Sequence, residues 1–418
     1  MKKINKKQQI IKSETMIAAI DIGKNKNTII YRSPDGQDSK PFEFTNTRVG
    51  FDRFHSQLLW FKNRYNTNDV VVGYESTGIY PEPLVHYLRG KQVRLVLVNP
   101  VHTKRVREIR DNSPNKTDKK DPRVIADVIQ LNCVLSVIVP EGDGAELRQL
   151  IHARERAICQ RNGFLSQLHD LVYKVFPEIH QIFKSMKSKT VQFVLMNYPF
   201  PEDVAACDID ELANKLRSMS RGRINRSQVE ELQRFAETSI GVKEGRNAIA
   251  KEITHLVKEL RSQKEYINSI EKNINETLGR LPISYRILSI KGIGEITAAG
   301  ILGEAACFQD MQHSKEFEKL AGLNLFEISS GEHQGQKKIS KRGRGLLRKL
   351  LYFASLNVIK HDGVFRDKYQ SYLKKGKPKN QALIAISRKL IRVIFAIVRD
   401  DVNFDKNRNK EPLYSKAA

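Results

Sequence analysis

Acidic residues are in short supply along this chain of 418: 47 Asp and Glu stand against 72 Lys and Arg, a formal net charge of +25 and a pI near 9.8. An excess of that size disfavours the compact state by self-repulsion unless a polyanion or counterions neutralise it, so nucleic acid is the default partner. Cysteine is scarce as well. Cys133, Cys159, Cys207 and Cys307 are scattered and form no Cys-x-x-Cys pair, which argues against a zinc site or a disulfide framework and fits a reducing cytosol. No run of about 18 apolar residues is present, so no membrane span is expected. The basic stretch 1–15 lacks the apolar segment of a signal peptide. Low-complexity tracts and long repeats are missing too. What remains, 40% apolar and 28% charged residues, is enough for a real core and excludes a wholly disordered chain.

Three regions differ in pattern. In residues 16–144 short β-rich runs alternate with helical ones. Strands are predicted at 16–21, 27–31, 41–44, 70–74, 93–98 and 134–139, with helices at 51–64 and 83–88. That alternation implies an α/β domain with a mostly parallel sheet, and the turn signal Ser33-Pro-Asp-Gly36 suggests that it starts with antiparallel hairpins. In residues 145–280 the strand signal fades. Ile249, Ile253, Leu256, Leu260, Gln263, Ile267, Ile270, Ile274 and Thr277 follow a 4,3 spacing over four heptads, a coiled-coil pattern with Gln263 as a register-setting polar position. Leu147, Ile151, Arg154, Ile158, Arg161, Leu165, Leu168, Val172 and Val175 repeat it, with arginines at two core positions. The two segments read equally well as an intramolecular helical hairpin or as a dimerisation arm. Residues 281–405 read as a helical domain around a Gly- and Lys/Arg-rich centre, followed by a polar tail over 406–418.

Carboxylates recur at strand ends. Asp21 closes Ala18-Ala-Ile-Asp-Ile-Gly23, and Glu75 closes Val70-Val-Val-Gly-Tyr-Glu75. Asp118 and Asp121 are three apart in Lys116-Thr-Asp-Lys-Lys-Asp-Pro122 and share a face if that segment is helical. Four neighbouring carboxylates repel unless cations are present. Magnesium takes oxygen ligands and bridges phosphate oxygens, so the set suits phosphodiester chemistry. Singly, each acid is more often structural: Asp-x-Gly is a common turn, and Asp121 before Pro122 is a natural helix N-cap. The ordered set within a chain of charge +25 reverses that weighting. Asp127 is a lower-ranked substitute ligand.

A second constellation lies downstream. Ile290-Lys-Gly-Ile-Gly294 places Lys291, Gly292 and Gly294 in a turn between helices, similar to a helix-hairpin-helix element, where backbone N–H groups approach a phosphate. An ordinary tight turn is the plain alternative. After Ser329-Ser-Gly331 come seven cations: Lys337, Lys338, Lys341, Arg342, Arg344, Arg348 and Lys349. Guanidinium and ammonium groups stabilise charge on a transferring phosphoryl group, and a serine hydroxyl is a nucleophile once activated. Ser329, Ser330 and Ser340 all compete for that role.

Taken in order, these motifs resemble the two-domain transposases of a bacterial insertion-sequence family. The resemblance runs over about residues 16–405. It rests on Asp21-Ile-Gly23, Tyr74-Glu-Ser-Thr-Gly78, Val98-Asn-Pro100, Lys116-Thr-Asp118 with Asp121, and Ile290-Lys-Gly-Ile-Gly294. It continues through Ala321-Gly-Leu323, Ser330-Gly331, Ile339-Ser-Lys-Arg-Gly343 and Gly376-Lys377 ahead of Ala385-Ile-Ser-Arg-Lys-Leu390. It implies an α/β + α architecture: an RNase H-like DEDD domain similar to Holliday-junction resolvases, a helical coiled-coil middle, and a mainly helical C-terminal transposase domain. Asp21, Glu75, Asp118 and Asp121 are then the Mg²⁺-binding tetrad and Ser330 the nucleophile of a covalent phosphoserine intermediate. The implied partners are donor and target DNA, a structured noncoding guide RNA, and further copies of the chain as dimer or tetramer, in a bacterial cytoplasm at the nucleoid. The chain departs from the family pattern at Pro122, where relatives carry Ala, and at Ser329, where they often carry Gln. The rival enzyme is a structure-specific junction endonuclease working with the acidic tetrad alone; a scaffold without chemistry is the third reading.

The charge balance makes a direct prediction. The logarithm of duplex-DNA affinity should fall linearly with the logarithm of salt concentration, by about 0.9 per phosphate neutralised. A flat response in a salt titration of binding would contradict the reading of the cationic excess as a nucleic-acid footprint.

Overall fold

Strand β1 (Met16–Ile22) carries one charged residue, Asp21, among six apolar ones and is otherwise buried, which suits only a central strand covered on both faces. A tight turn at Gly23, where a Cβ would meet the Lys26 carbonyl at 2.4 Å, returns the chain into β2 (Lys26–Arg32), antiparallel to β1. Strand β3 (Phe42–Thr45) adds antiparallel to β2. Helix α1 (Arg48–Arg64), capped by the Thr47 side chain on the Gly50 N–H, then leads to β4 (Val70–Glu75), parallel to β1. Helix α2 (Glu82–Leu88) leads to β5 (Arg94–Val98), parallel to β4. Two consecutive helices, α3 (Pro100–Asp111) and α4 (Asp121–Gln130), precede β6 (Val134–Ser136), which lies antiparallel to β5.

The computed structural model that shows this describes residues 11–75, 78–91, 93–111, 121–137, 140–305, 308, 311–327 and 337–406, and the chain forms two units, Met1–Ile138 and Val139–Ala418. The sheet order is β3-β2-β1-β4-β5-β6. It is mixed, which corrects the expected mostly parallel sheet: only the β1–β4 and β4–β5 pairs are parallel. Tight turns force the first three strands into antiparallel neighbours, and two helices in a row bring the chain back to β5 from its opposite end. Helix α4 covers one face, with Ile125, Ala126, Val128 and Ile129 buried against Ile17, Ala19, Val71 and Val96. Glycine at position 73 lets it approach, since a Cβ there would stand 2.3 Å from Ile129 Cδ1.

The second unit is built on two 34-residue helices, α5 (Gly142–Val175) and, after five short ones, α11 (Arg246–Gly279). The short helices are α6 (Ile179–Ile182), α7 (Lys189–Asn197), α8 (Pro201–Ala205), α9 (Ile209–Ser220) and α10 (Arg226–Glu237). The two 4,3-spaced stripes meet within one chain: every position from Ile249 to Thr277 in the second stripe is buried except Gln263. The intramolecular hairpin therefore accounts for the heptad signal. Its two ends serve different cores. Leu168, Val172, Ile253 and Leu256 pack with α7 to α10, whereas Leu147, Ile151, Ile270 and Ile274 pack with the C-terminal helices. The regions read from sequence as separate middle and C-terminal domains are thus one unit. Between the cores the hairpin is polar: Arg154 bonds Glu271 at 2.7 Å, and Arg161 Nε and Gln263 Oε1 are buried without partners.

The C-terminal elements are α12 (Ile283–Leu288), α13 (Glu295–Ala305), α14 (Ser314–Leu320), the two-residue strands β7 (Leu325–Phe326) and β8 (Lys338–Ile339), and then α15 (Gly345–His361), α16 (Gly363–Lys374) and α17 (Lys379–Arg399). Among the described residues no helix is long and apolar enough to cross a membrane.

Helix α13 lies so close to α5 that a Cβ at Gly303 would stand 2.7 Å from the Arg148 nitrogen and 2.9 Å from its Cα. Ala gains about 1 kcal/mol over Gly in a helix interior, but forcing two backbones apart costs about 1–3 kcal/mol. Gly303→Ala should lower the urea midpoint of this unit. Gly163→Ala, on α5 with nothing within 4 Å of the new methyl, should raise it. A higher midpoint for Gly303→Ala would contradict the close packing.

Candidate active site and nucleic-acid interface

The register of the sheet fixes where the strand-end acids stand. Pairing of β1 with β4 ends at Ile20 and Tyr74, so Asp21 and Glu75 follow side by side, on strands spaced about 4.8 Å apart. Strand alternation puts Asp21 on the face of Ile17 and Ala19, and Glu75 on that of Val71 and Gly73. That is the face covered by α4.

Helix α4 carries a third acid, Asp121, tied to α3 by Arg107. Ile129 of α4 sits on Gly73, and Asp127 and Gln130 accept from Arg32, which is paired with Ile17. Asp127, the lower-ranked substitute ligand, is engaged by the buried Arg32 at 2.8 Å. Asp121 is itself helical, in α4, and is 6% exposed. Asp118 lies outside the described residues.

Two side chains that sequence reasoning missed hold these acids. The buried Thr103 hydroxyl lies 2.8 Å from Glu75 Oε2 and 2.9 Å from the Pro100 carbonyl, and Arg107 Nη2 donates to Asp121 Oδ1 at 2.6 Å. They are four apart on α3 and so share a face. The i,i+4 spacing was visible in the sequence, but α3 also carries Lys104 and Arg105, and nothing local says which cation turns inward. Lys104 and Arg105 on α3, Arg123 on α4 and Lys24 after β1 are exposed. Among the described residues no three His, Cys, Asp or Glu side chains stand close enough together to hold a metal ion.

In the second unit the Gly-rich turn lies between α12 and α13, as the sequence implies. Gly292 has φ +100°, and a Cβ there would stand 2.9 Å from the Val358 nitrogen on α15, so this glycine serves packing. Gly294 is open, with nothing within 4 Å, and Lys291 is exposed.

The basic segment divides into two groups. Lys337, Lys338, Lys341 and Arg342 are exposed, Lys337 within 3.4 Å of Glu327. Arg344 and Arg348 turn inward. Arg348 Nη1 donates to the Ala321 carbonyl at 3.0 Å, and Arg344 Nη1 donates to the Glu304 carbonyl. Backbone bonds from Lys341 to Gly322 and from Arg344 to Leu320 tie the segment to the end of α14. Ser340 Oγ donates to Asn324 Oδ1 at 2.5 Å at the base of the β7–β8 pair. It does not cap α15, whose N-cap is Arg344. Ser329 and Ser330 lie outside the described residues, in the stretch between β7 and β8.

Glu304, 2% exposed on α13, anchors this segment. It meets His152 Nε2 at 2.7 Å, Arg148 Nε at 3.6 Å and Arg344 Nη1 at 3.7 Å. Burial alone would raise its carboxyl pKa. The His152 hydrogen bond and the charges of Arg344 and Arg148 outweigh that and hold it below the ordinary carboxylate value.

Comparison with known proteins bears on both regions. Residues 18–177 match the transposase family DEDD_Tnp_IS110, and residues 284–370 match the family described as Transposase IS116/IS110/IS902. The chain is 26% identical over 289 residues to a 42 kDa protein of insertion element IS900 from Mycobacterium paratuberculosis, covering 68% of this chain and 72% of that one. It is 25% identical over 291 residues to a 44.8 kDa protein of IS116 from Streptomyces clavuligerus, covering 68% and 71%. A pilin gene-inverting protein of Moraxella lacunata is 29% identical over 164 residues, 35% of this chain and 48% of that one.

The Glu304 cluster sets a pH dependence. A carboxyl whose folded pKa is depressed contributes stability above its unfolded value, near 4.3, and loses it as pH falls through the folded one. Glu304→Gln should cost about 2 kcal/mol at pH 7, and the gap to the native chain should close below about pH 4. Urea denaturation at the two pH values measures it; a gap that widens in acid would contradict the assignment.

Proposed function

We propose that the chain is a transposase of the IS110/IS116/IS902 type, as its matches to both family models support, and that it cleaves and rejoins DNA through an acidic site on the sheet edge and a serine of the second unit. The observation that carries the first half is the side-by-side placement of Asp21 and Glu75 at the ends of β1 and β4. An antiparallel β1–β2–β3 meander followed by parallel β4 and β5 supports an RNase H-like fold.

The four candidate ligands are all carboxylates, the donor type that a hard divalent cation such as Mg²⁺ takes. Asp21, Glu75, Asp121 and, by the family resemblance, Asp118 would hold it. When bound, it polarises a phosphate oxygen and favours an ionised nucleophile. The chain's own residues do the rest. Thr103 orients Glu75, and Lys24, Lys104, Arg105 and Arg123 offer charge to the approaching backbone.

The second half rests on chemistry and exclusion. Ser330 is the nucleophile in this reading: its hydroxyl oxygen attacks a phosphodiester, its proton leaves to solvent or base, and a DNA hydroxyl departs. Ser340 is disfavoured because its hydroxyl is engaged by Asn324. Lys337, Lys338, Lys341 and Arg342 draw in the phosphate. A structured noncoding RNA as guide and a dimer or tetramer complete the proposal.

Asp21→Asn or Glu75→Gln should abolish strand cleavage while leaving DNA binding within a few-fold. Ser330→Ala should also remove the denaturant-stable protein–DNA adduct, and Ser340→Ala should retain it. Gel analysis of the adduct decides. Hydrolysed DNA with no adduct at any stage would favour a junction endonuclease, and an adduct lost in Ser329→Ala but kept in Ser330→Ala would move the nucleophile.

A further inference from the structure

Within the reading of the chain as an enzyme acting on nucleic acid, on which this rests, we propose that the groove between α16 and α17 grips the phosphodiester backbone of a single strand. Lys368 and Tyr372 line it from α16, and Arg388, Lys389 and Arg392 from α17. Positions 388, 389 and 392 have the three- and four-residue spacing that keeps side chains on one side of a helix. Ala385 and Ala396 continue that stripe and are small enough to leave room.

The charge on the two walls is matched only in part. Glu318 of α14, its side chain 4% exposed, accepts from Arg388 Nη2 at 2.8 Å through one oxygen and from Arg392 Nε at 3.0 Å through the other. One carboxylate thus presets two guanidiniums, and the two Nη groups of Arg392 have no acceptor among the described residues. Lys368 and Lys389 form no ion pair among those residues; their ammonium groups lie 5.4 and 5.7 Å from the ring centres of Tyr372 and Phe365. Partial burial and the charge of Lys368 push the Lys389 ammonium below the ordinary lysine pKa, against the opposing pull of Asp362. Cations held together in this way repel one another, and an anion between them relieves it.

Three features favour a strand over a small anion or a duplex. The turn joining the two helices, which follows Tyr372 by three residues, continues the cationic track with Lys374, Lys375, Lys377 and Lys379, all exposed, on either side of Gly376 at φ +77°. The track is therefore long enough for several phosphates. Packed helices lie about 8–10 Å apart, so the furrow between them admits one strand and not a duplex. Tyr372 offers an aromatic ring on which any base stacks, which suits backbone binding without sequence preference.

The test is fluorescence-anisotropy titration of the full-length chain with labelled oligo-dT and oligo-rU, repeated over a salt series. Arg388 and Arg392 are left in place, because removing either would strand the buried Glu318. In the double variant Lys368→Gln, Lys389→Gln the slope of log affinity against log salt should shrink by about 1.4, or 0.7 for each of two phosphates no longer met on a single strand. The double variant Lys368→Arg, Lys389→Arg should keep the native slope. So should Lys258→Gln, Lys264→Gln, which removes the same charge from exposed positions on α11. A loss confined to oligo-rU assigns the groove to RNA, one confined to oligo-dT to DNA, and a loss with both to the backbone they share; all three support the proposal. A slope unchanged with both probes, or the same loss in the arginine or the α11 variant, overturns it while nucleic-acid binding by the chain stands. Native chain that binds neither probe would instead overturn the wider nucleic-acid reading.

Discussion

Parallel pairing of β1 with β4 places two carboxylates beside each other at the ends of central strands, and much of the N-terminal unit follows from that constraint. Like charges on strands about 4.8 Å apart repel unless something between or beside them compensates. Helix α3 supplies contacts to two carboxylates of this unit, Thr103 on Glu75 and Arg107 on Asp121. The other end of α4 is pinned by Arg32, whose guanidinium binds Asp38 at 2.6 Å and Asp127 at 2.8 Å with only 5% of its side chain exposed. One helix is therefore fixed by ion pairs at both ends, with an apolar middle pressed onto Gly73. Its N-terminal carboxylate is set by the whole unit.

A different logic builds the second unit. Two long helices run side by side, and each end of the pair supplies half of a separate core. The polar centre, with Arg154–Glu271 and the unmatched atoms of Arg161 and Gln263, costs stability relative to apolar packing. It also leaves few ways to slide one helix past the other, because a shift of one turn would bring arginines into the apolar layers.

Glu304 shows how a buried charge organises a basic surface. Three cationic or ionisable side chains from two segments converge on one carboxylate, so Arg344 and its neighbours are held against α13 while Lys337, Lys338, Lys341 and Arg342 stay in solvent. Cations adjacent in sequence thereby divide into those that fix the segment and those free to meet a polyanion.

The sequence by itself implied a polyanionic partner, through its charge, and determined the positions of the strands, through apolar runs, and the two long helices, through their 4,3 spacing. Those signals are local or compositional, so they survive without knowledge of the fold. The order of strand-end acids was legible as well, because a carboxylate closing an apolar run is a visible anomaly. Tertiary structure alone decided the rest. The sheet is mixed because turn lengths and the doubled helix α3–α4 set strand direction. The heptads pair within the chain, since a 4,3 stripe does not say which stripe it meets. Arg107, and not Lys104 or Arg105, faces the acids; Asp127 belongs to Arg32; and Arg344 and Arg348 turn inward. In each case identical charges in one stretch are told apart by which of them the packing of distant segments buries, a long-range property that no local pattern encodes.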